Sequence, residues 1–288
     1  MASVIPLPDE SAGEIDFERR FGGIARLYGA PALQIFRNAR LCVIGVGGVG
    51  SWVVEALARS AVGNITMMDL DHLAESNVNR QVHALTETLG KAKVLALAER
   101  IAQINPTCLV TGIEEFVTAD NVAELIVPGR FDFVIDAIDD ARAKTALIVH
   151  CREQQIPLLT IGSAGGQIDP TRIDVCDLSR TEQEPLLARV RKNLRIKHGF
   201  PRGKKNKFGI DAVYSTEPLR FPEICDIDDS SADDAQQGGV TGLNCAGYGS
   251  AVVVTAAFGF VAAAHVLRKL AGISVSPVHA SPSSTVDE

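Results

Sequence analysis

Gly45, Gly47, Gly48 and Gly50 stand at GxGxxG spacing immediately after the apolar run Leu41, Cys42, Val43, Ile44. Glycines suit a turn that bends sharply and must let backbone approach a ligand. The helical spacing that follows, over residues 51–60, places free N–H groups where they face phosphate oxygens. A second apolar run, residues 65–68, ends at Asp69, at the separation where a carboxylate accepts hydrogen bonds from a ribose. A GxGxxG by itself is also a plain strand-to-helix turn. Here the strand, the helix and the acid accompany it, and a nucleotide site is the expectation.

The residues after Asp69 decide which nucleotide chemistry. Asp71, Asn77 and Arg80 lie in the polar stretch DHLAESNVNRQ, Lys93 follows in GKAK, and an apolar run over residues 131–138 ends at Asp139-Asp140. Two cations, Arg80 and Lys93, with a carboxylate at a strand's C-terminal end are the groups that a triphosphate and its Mg²⁺ require. Hydride transfer from NAD has no use for them. An NAD-dependent reductase is therefore the remote alternative, and a non-catalytic nucleotide-sensing module is disfavoured by the same intact set.

These groups need a scaffold. Residues 91–104 carry a helical stripe (Val94, Leu97, Ala98, Ile101) closed by Asn105-Pro106. Strands are expected over residues 109–113, 131–138 and 157–161, and helices over 119–127 and 141–155. Such alternation predicts an α/β fold with a Rossmann-like, doubly wound, mostly parallel sheet and ligands outside the strands' carboxyl ends. Gly45, Asp69 and Asp139 all fall at such ends. After residue 162 the period changes. Residues 167–168 and 172–176, flanking Asp169-Pro170-Thr171, read as a hairpin that would extend the sheet in antiparallel fashion.

The chain has 288 residues, 46% of them hydrophobic, and a net charge of −7, so it is no general polyanion binder. The charge is nonetheless segregated. Residues 189–207 hold nine basic side chains and no acid: Arg189, Arg191, Lys192, Arg195, Lys197, Arg202, Lys204, Lys205 and Lys207. If residues 184–197 are helical, Leu187, Val190 and Leu194 turn inward, and Arg191, Arg195 and His198 share one face. That face neutralises phosphates without reading sequence, which points to nucleic acid. A solvated surface helix is the plain alternative. Residues 221–239 have the opposite character, with six acids and no basic residue, and read as a loop over the site.

The ordered motifs GVGGVGS, MDLD…SNVNRQ, GKAK and DAIDD resemble the adenylating, ubiquitin-activating-like (E1-like) family, which includes activators of ubiquitin-like and sulfur-carrier proteins. Within it, RFGGIARLYG, SAGGQIDPTRI and the basic insert are similar to the tRNA threonylcarbamoyladenosine dehydratases. The match runs from about residue 17 to 270. The resemblance implies ATP-dependent adenylation of a carboxylate, with Gly45, Gly47, Gly48 and Gly50 on the phosphates and Asp69 on the ribose. Asp71 and Asn77 complete the nucleotide site. Asp139 anchors Mg²⁺, while Arg80 and Lys93 neutralise developing charge. It further implies a homodimer, and a tRNA whose anticodon arm carries the modified adenosine at position 37, held by the basic insert.

An N-terminal helix of this family sends an arginine into the partner's site. The usual position falls near Gly23, a departure, which leaves Arg20 or Arg26, each of which equally suits a solvated helix face. The alternative within the family is an activator of a ubiquitin-like or sulfur-carrier protein. The basic insert counts against it, as does the lack of the paired CxxC motifs that bind zinc in many relatives, so no zinc is expected. Cys225 lies where thiol-using relatives carry theirs and Cys245 begins an apolar stretch. A sulfur-acceptor role with a cysteine desulfurase would fall to one of these. Cys42, Cys108 and Cys176 read as small core residues.

The expected organisation is a disordered leader at 1–16, an adenylation domain at 17–272 with the basic insert 184–207 and the acidic loop 221–239, and a disordered Ser/Pro tail at 273–288. Residues 246–267 contain no charged side chain and would pass as a single membrane span by length. Their Ala, Gly, Ser, Thr and His265 favour instead a C-terminal helix buried in a protein interface. With a polar, acidic start and no CxxC, a reducing cytoplasm is the expected compartment.

Overall fold

Gly29, at φ +91°, and Pro31 break the N-terminal helical stretch in two. The computed structural model, which describes residues 3–4, 15–203, 206–221 and 248–274, accordingly shows α1 (Phe17–Tyr28), capped by Asp16, and α2 (Ala30–Asn38). The alternating elements follow: β2 (Arg40–Ile44), α3 (Gly50–Arg59), β3 (Asn64–Met68), α4 (Lys93–Ile104), β4 (Leu109–Ile113), α5 (Val122–Leu125), β5 (Phe133–Asp136), α6 (Ala141–Glu153) and β6 (Leu158–Ile161). A short β1 (Ser3–Val4) pairs antiparallel with β4. Beyond β6 come β7 (Ile173–Asp177), α7 (Pro185–Lys197), β8 (Asp211–Ser215) and α8 (Val252–Leu270).

The sheet runs β1-β4-β3-β2-β5-β6-β8-β7. It is parallel from β4 to β8 and antiparallel at its two outer pairs. From β2 the chain winds outward first through β3 and later through β5. The crevice beyond their carboxyl ends is thus the topological switch point where such sheets take ligands. Burial explains why these strands read as continuous apolar runs. Leu41, Val43, Ile65 and Met67 pack toward α3, α4 and α8, while Cys42, Ile44, Met68 and Val134 face the α5–α6 side.

Two expectations need correction. Residues 167–168 form no strand. Instead β7 pairs with β8, a strand that sequence periodicity had not singled out. Its residues, DAVYS, are too short a run to declare themselves, and their partner lies some forty residues upstream. The expected helix over 119–127 shrinks to the single turn of α5, where Asn121 accepts from the Thr118 N–H at 2.7 Å. Most of the acidic segment 221–239, with Cys225, Cys245, Lys204 and Lys205, lies outside the described residues.

α8 is long and apolar enough to cross a membrane by length and composition, and half of its apolar window is buried in the protein. Gly259 lets it close onto α3, since a Cβ there would stand 2.7 Å from that of Trp52. Its last turns are tied to β8 through Asp211, which meets His265 at 2.9 Å and Lys269 at 3.0 Å. Along the other side, Val253 (58% exposed) and Phe260 (47%) face outward.

Candidate active site

The glycine turn between β2 and α3 is shaped by two close approaches. Gly45 has φ +80°, and a side chain there would stand 2.8 Å from the Ala137 carbonyl oxygen in the loop after β5. A methyl at Gly50 would overlap the carbonyl oxygen of Gly45 itself. Both contacts draw the turn against its neighbours and leave the α3 N-terminus open.

Asp69 ends β3 and is buried. Its Oδ2 accepts from the Val46 N–H at 2.8 Å, and its Oδ1 from the Asp71 N–H at 2.9 Å. Burial raises its pKa, against the pull of Lys93 and these two N–H donors. The side chain expected on a ribose therefore also fixes the glycine turn from below. Asp71 is the more exposed carboxylate, and Lys93 Nζ lies 2.6 Å from it and 3.7 Å from Asp69. Lys93 starts α4 and is itself buried, so its ammonium sits within the crevice rather than in bulk water.

Arg80 lies along the turn, where a Cβ on Gly48 would stand 3.3 Å from its Cγ and Cδ. Its guanidinium donates to the Ser76 carbonyl and, at 2.9 Å, to Asn79 Oδ1. Half-burial lowers its pKa. The backbone at Arg80 is anchored by residues that sequence reading missed. Trp52 Nε1 donates to its carbonyl at 2.9 Å, and the Val252 N–H donates to Asn79 O at 3.1 Å. The first comes from α3 and the second from the start of α8, both far from Arg80 in sequence. Asn77 uses its Oδ1 to accept from the Ala74 N–H at 3.0 Å, holding the turn that carries Arg80.

Asp139 is exposed in the loop after β5 and makes no ion pair with the described residues. A free, hard carboxylate oxygen beside the glycine turn suits Mg²⁺. Behind it, Asp136 is fully buried with Lys144, at 2.9 Å. Thr160 donates to Asp136 Oδ2 at 2.8 Å, and the Ile138 N–H donates to Oδ1 at 3.1 Å. This pair shapes the loop that presents Asp139. It too escaped the sequence reading, because a lysine inside α6 looks like any surface lysine.

The basic insert forms α7, with Leu187, Val190 and Leu194 inward as expected. Its basic face differs from expectation. Arg191 is half-buried and donates to Thr181 Oγ1, while Arg195 reaches the Pro201 carbonyl and lies over the Phe208 ring. Among the described residues of the insert, Arg189, Lys192, Lys197, Arg202 and Lys207 are the exposed cations. Glu184 caps α7 from a buried position and also accepts from the Ser163 N–H at 2.9 Å. Its burial raises its pKa. It thereby links the helix to the loop after β6, one strand from Asp139.

Arg20 donates to the Ile104 carbonyl at 3.0 Å, at the end of α4. It lines a cleft of about 720 Å³ with His83, Arg100 and Ile104, away from the glycine turn. Arg26 is exposed. Neither enters the site of its own chain. Cys42, Cys108, Cys151 and Cys176 are free thiols. Burial pushes Cys108 and Cys151 up to about 12, so neither is a ready nucleophile.

Comparison with known proteins identifies the family and the fold. The profile of the ThiF family matches residues 22–285. The tRNA threonylcarbamoyladenosine dehydratase of Escherichia coli K12 is 50% identical over 259 residues, covering 88% of this chain and 94% of that one. The crystal structure of the E. coli enzyme in complex with ATP superimposes with a TM-score of 0.79 at 48% identity, covering 90% of this chain and 96% of that one. Similarity to the E. coli molybdopterin-synthase adenylyltransferase is more distant, 28% over 127 residues, covering 44% of this chain and half of that one. With that match spanning residues 22–285 and a relative half identical along most of both chains, the chain belongs to the ThiF family.

Proposed function

We propose that this chain is an ATP-dependent tRNA threonylcarbamoyladenosine dehydratase. The observation that carries the reading is the convergence of the Gly45–Gly50 turn, Arg80, Lys93 and Asp139 on one crevice, together with the extensive likeness to enzymes of that name. The carboxylate of the N6-threonylcarbamoyl group on adenosine 37 attacks the α-phosphorus of ATP, and pyrophosphate leaves. The side chain's own nitrogen or oxygen then attacks the activated carbonyl and displaces AMP. A ring closes, and the elements of one water are lost, the oxygen departing on AMP.

The attacking carboxylate is already ionised, so the chain need supply no base for that step. The barrier is electrostatic and positional. The turn holds the phosphates, Asp69 holds the ribose with Asp71 beside it, and Asn77 positions a phosphate oxygen. Arg80 and Lys93 stabilise the charge on the α-phosphoryl group and on pyrophosphate. Asp139 would hold Mg²⁺, which when bound neutralises phosphate charge.

The tRNA lies along the exposed cations of α7. Two copies pair through the outward apolar side of α8, where Val253 and Phe260 are exposed. Arg20 or Arg26 of one copy then serves the other. The reading needs no zinc, and it places the enzyme in the cytoplasm with its tRNA. Any exchange with a cysteine desulfurase falls to Cys225 or Cys245, since the thiols of Cys42, Cys108 and Cys151 are buried and Cys176 is half-buried within β7.

The test is mass spectrometry of nucleosides from threonylcarbamoyl-modified tRNA after incubation with the chain and ATP. Loss of one water, dependent on ATP and abolished by Asp139→Ala, supports the reading. ATP–pyrophosphate exchange stimulated only by a small carrier protein would replace it with the activator reading.

A further inference from the structure

We propose that Phe221 and Tyr248 form a stacking platform for the purine of the reacting nucleoside, an inference that rests on the function proposed above. Phe221 is 73% exposed, yet its ring is not isolated: its centroid lies 5.4 Å from that of Tyr248, tilted by 54°. Exposure alone does not single Phe221 out, since Leu27 is 75% exposed; what does is its pairing with a second aromatic ring.

The pair is placed by backbone hydrogen bonds. Gly166, in the loop that leaves β6, donates to the Gly249 carbonyl at 2.8 Å and accepts from the Arg220 N–H at 2.8 Å. The residues next to both aromatics are thus fastened to one glycine. Gly166 has φ +73°, and a Cβ there would stand 3.1 Å from Tyr248 Cδ1. A side chain there would be strained by that backbone conformation and would press on the tyrosine, both of which glycine avoids.

This position is the acceptor side of the nucleotide crevice. β6 lies beside β5, with Thr160 paired to Asp136, so the loop after β6 leaves the same sheet edge as Asp139. On the other side, Asn79 Nδ2 donates to the Ser250 carbonyl at 2.7 Å, one residue from Arg80. The segment carrying Tyr248 therefore bridges the phosphate-binding cations and the loop after β6. Ser163 of that loop is in turn bound by Glu184, the cap of the basic helix.

Aromatic faces beside a cationic surface are how proteins hold splayed bases of single-stranded RNA. A base parked on Phe221 would lie at the sheet edge that also carries Asp139, with the exposed cations of α7 for the flanking phosphates. Arg220, exposed and 3.6 Å from Glu217, adds a cation at the rim.

The experiment is a coupling cycle on the full chain. The probe is an unmodified anticodon stem-loop RNA, with either adenosine or an abasic residue at position 37, and affinity is read by anisotropy. Removing the base should weaken binding to the wild type about ten-fold and leave binding to Phe221→Ala almost unchanged, the size expected for one stacked base. Phe221→Trp should restore the discrimination. Equal losses against wild type and Phe221→Ala overturn the platform, as does a wild type that binds both RNAs alike or neither. ATP-dependent dehydration of modified tRNA by the wild type is measured in parallel. Its absence sinks the function, whereas its presence without coupling sinks only the platform.

Discussion

Lys93 Nζ stands 2.6 Å from Asp71 Oδ2 and 3.7 Å from Asp69 Oδ1, so the ammonium of α4 is held between the two acids that follow β3. The ion is presented to a nucleotide already in place, without reorganisation during the reaction. Lys93→Met should lower kcat/KM for ATP–pyrophosphate exchange by roughly 10²–10³-fold, the usual cost of one preorganised charge. A change below three-fold would remove Lys93 from the catalytic set.

Gly50→Ala tests the turn. The added methyl meets the Gly45 carbonyl oxygen, which is backbone and cannot swing aside. Destabilisation of about 1–3 kcal/mol is expected from overpacking, with loss of the thermal shift that ATP gives the wild type. Differential scanning fluorimetry with and without ATP reads both effects.

The fully buried Lys144–Asp136 pair supports the loop that carries Asp139. Lys144→Met leaves a buried carboxylate without its cation and should cost about 3–5 kcal/mol in urea denaturation. The double variant with Asp136→Leu should recover much of that stability but not the exchange activity, because the Ile138 N–H loses its acceptor.

His83 is buried with neither ring nitrogen hydrogen-bonded, and burial, with Lys93 and Arg100 nearby, lowers its pKa from 6.5 to about 3. Below pH 6.5 the unfolded chain takes up a proton that the folded chain refuses, so stability falls as pH falls through the window from 6.5 to 3. At pH 5 the loss from this group is about 2 kcal/mol relative to pH 7. In His83→Gln that increment should vanish from the pH dependence of urea unfolding. An unchanged acid slope would place a protonated imidazole in the folded state.

Arg189 and Lys192 are exposed on α7, whereas Arg191 and Arg195 are engaged within the protein. Replacing Arg189 and Lys192 by Ala should lower the slope of log affinity for tRNA against log salt by roughly 1.5–2, one counterion's worth per phosphate contact. Replacing Arg191 should instead show mainly as lost stability.

The sequence alone determined the parts that are local. The strand–turn–helix around Gly45–Gly50, the acid after β3, Lys93 at the start of α4 and the parallel sheet are written in apolar periodicity and glycine spacing, which neighbours in the chain read out directly. Inward Leu187, Val190 and Leu194 were legible for the same reason. The tertiary structure alone decided what depends on elements far apart in sequence. It split α1 from α2 at a glycine of positive φ and paired β7 with a strand beyond the basic insert. It turned Arg191 and Arg195 inward and sank Lys144 beside Asp136. It also brought Trp52 to the backbone of Arg80, and Tyr248 to Gly166. Those outcomes follow from which buried polar groups must find partners once the sheet has closed, and a linear pattern does not carry that information.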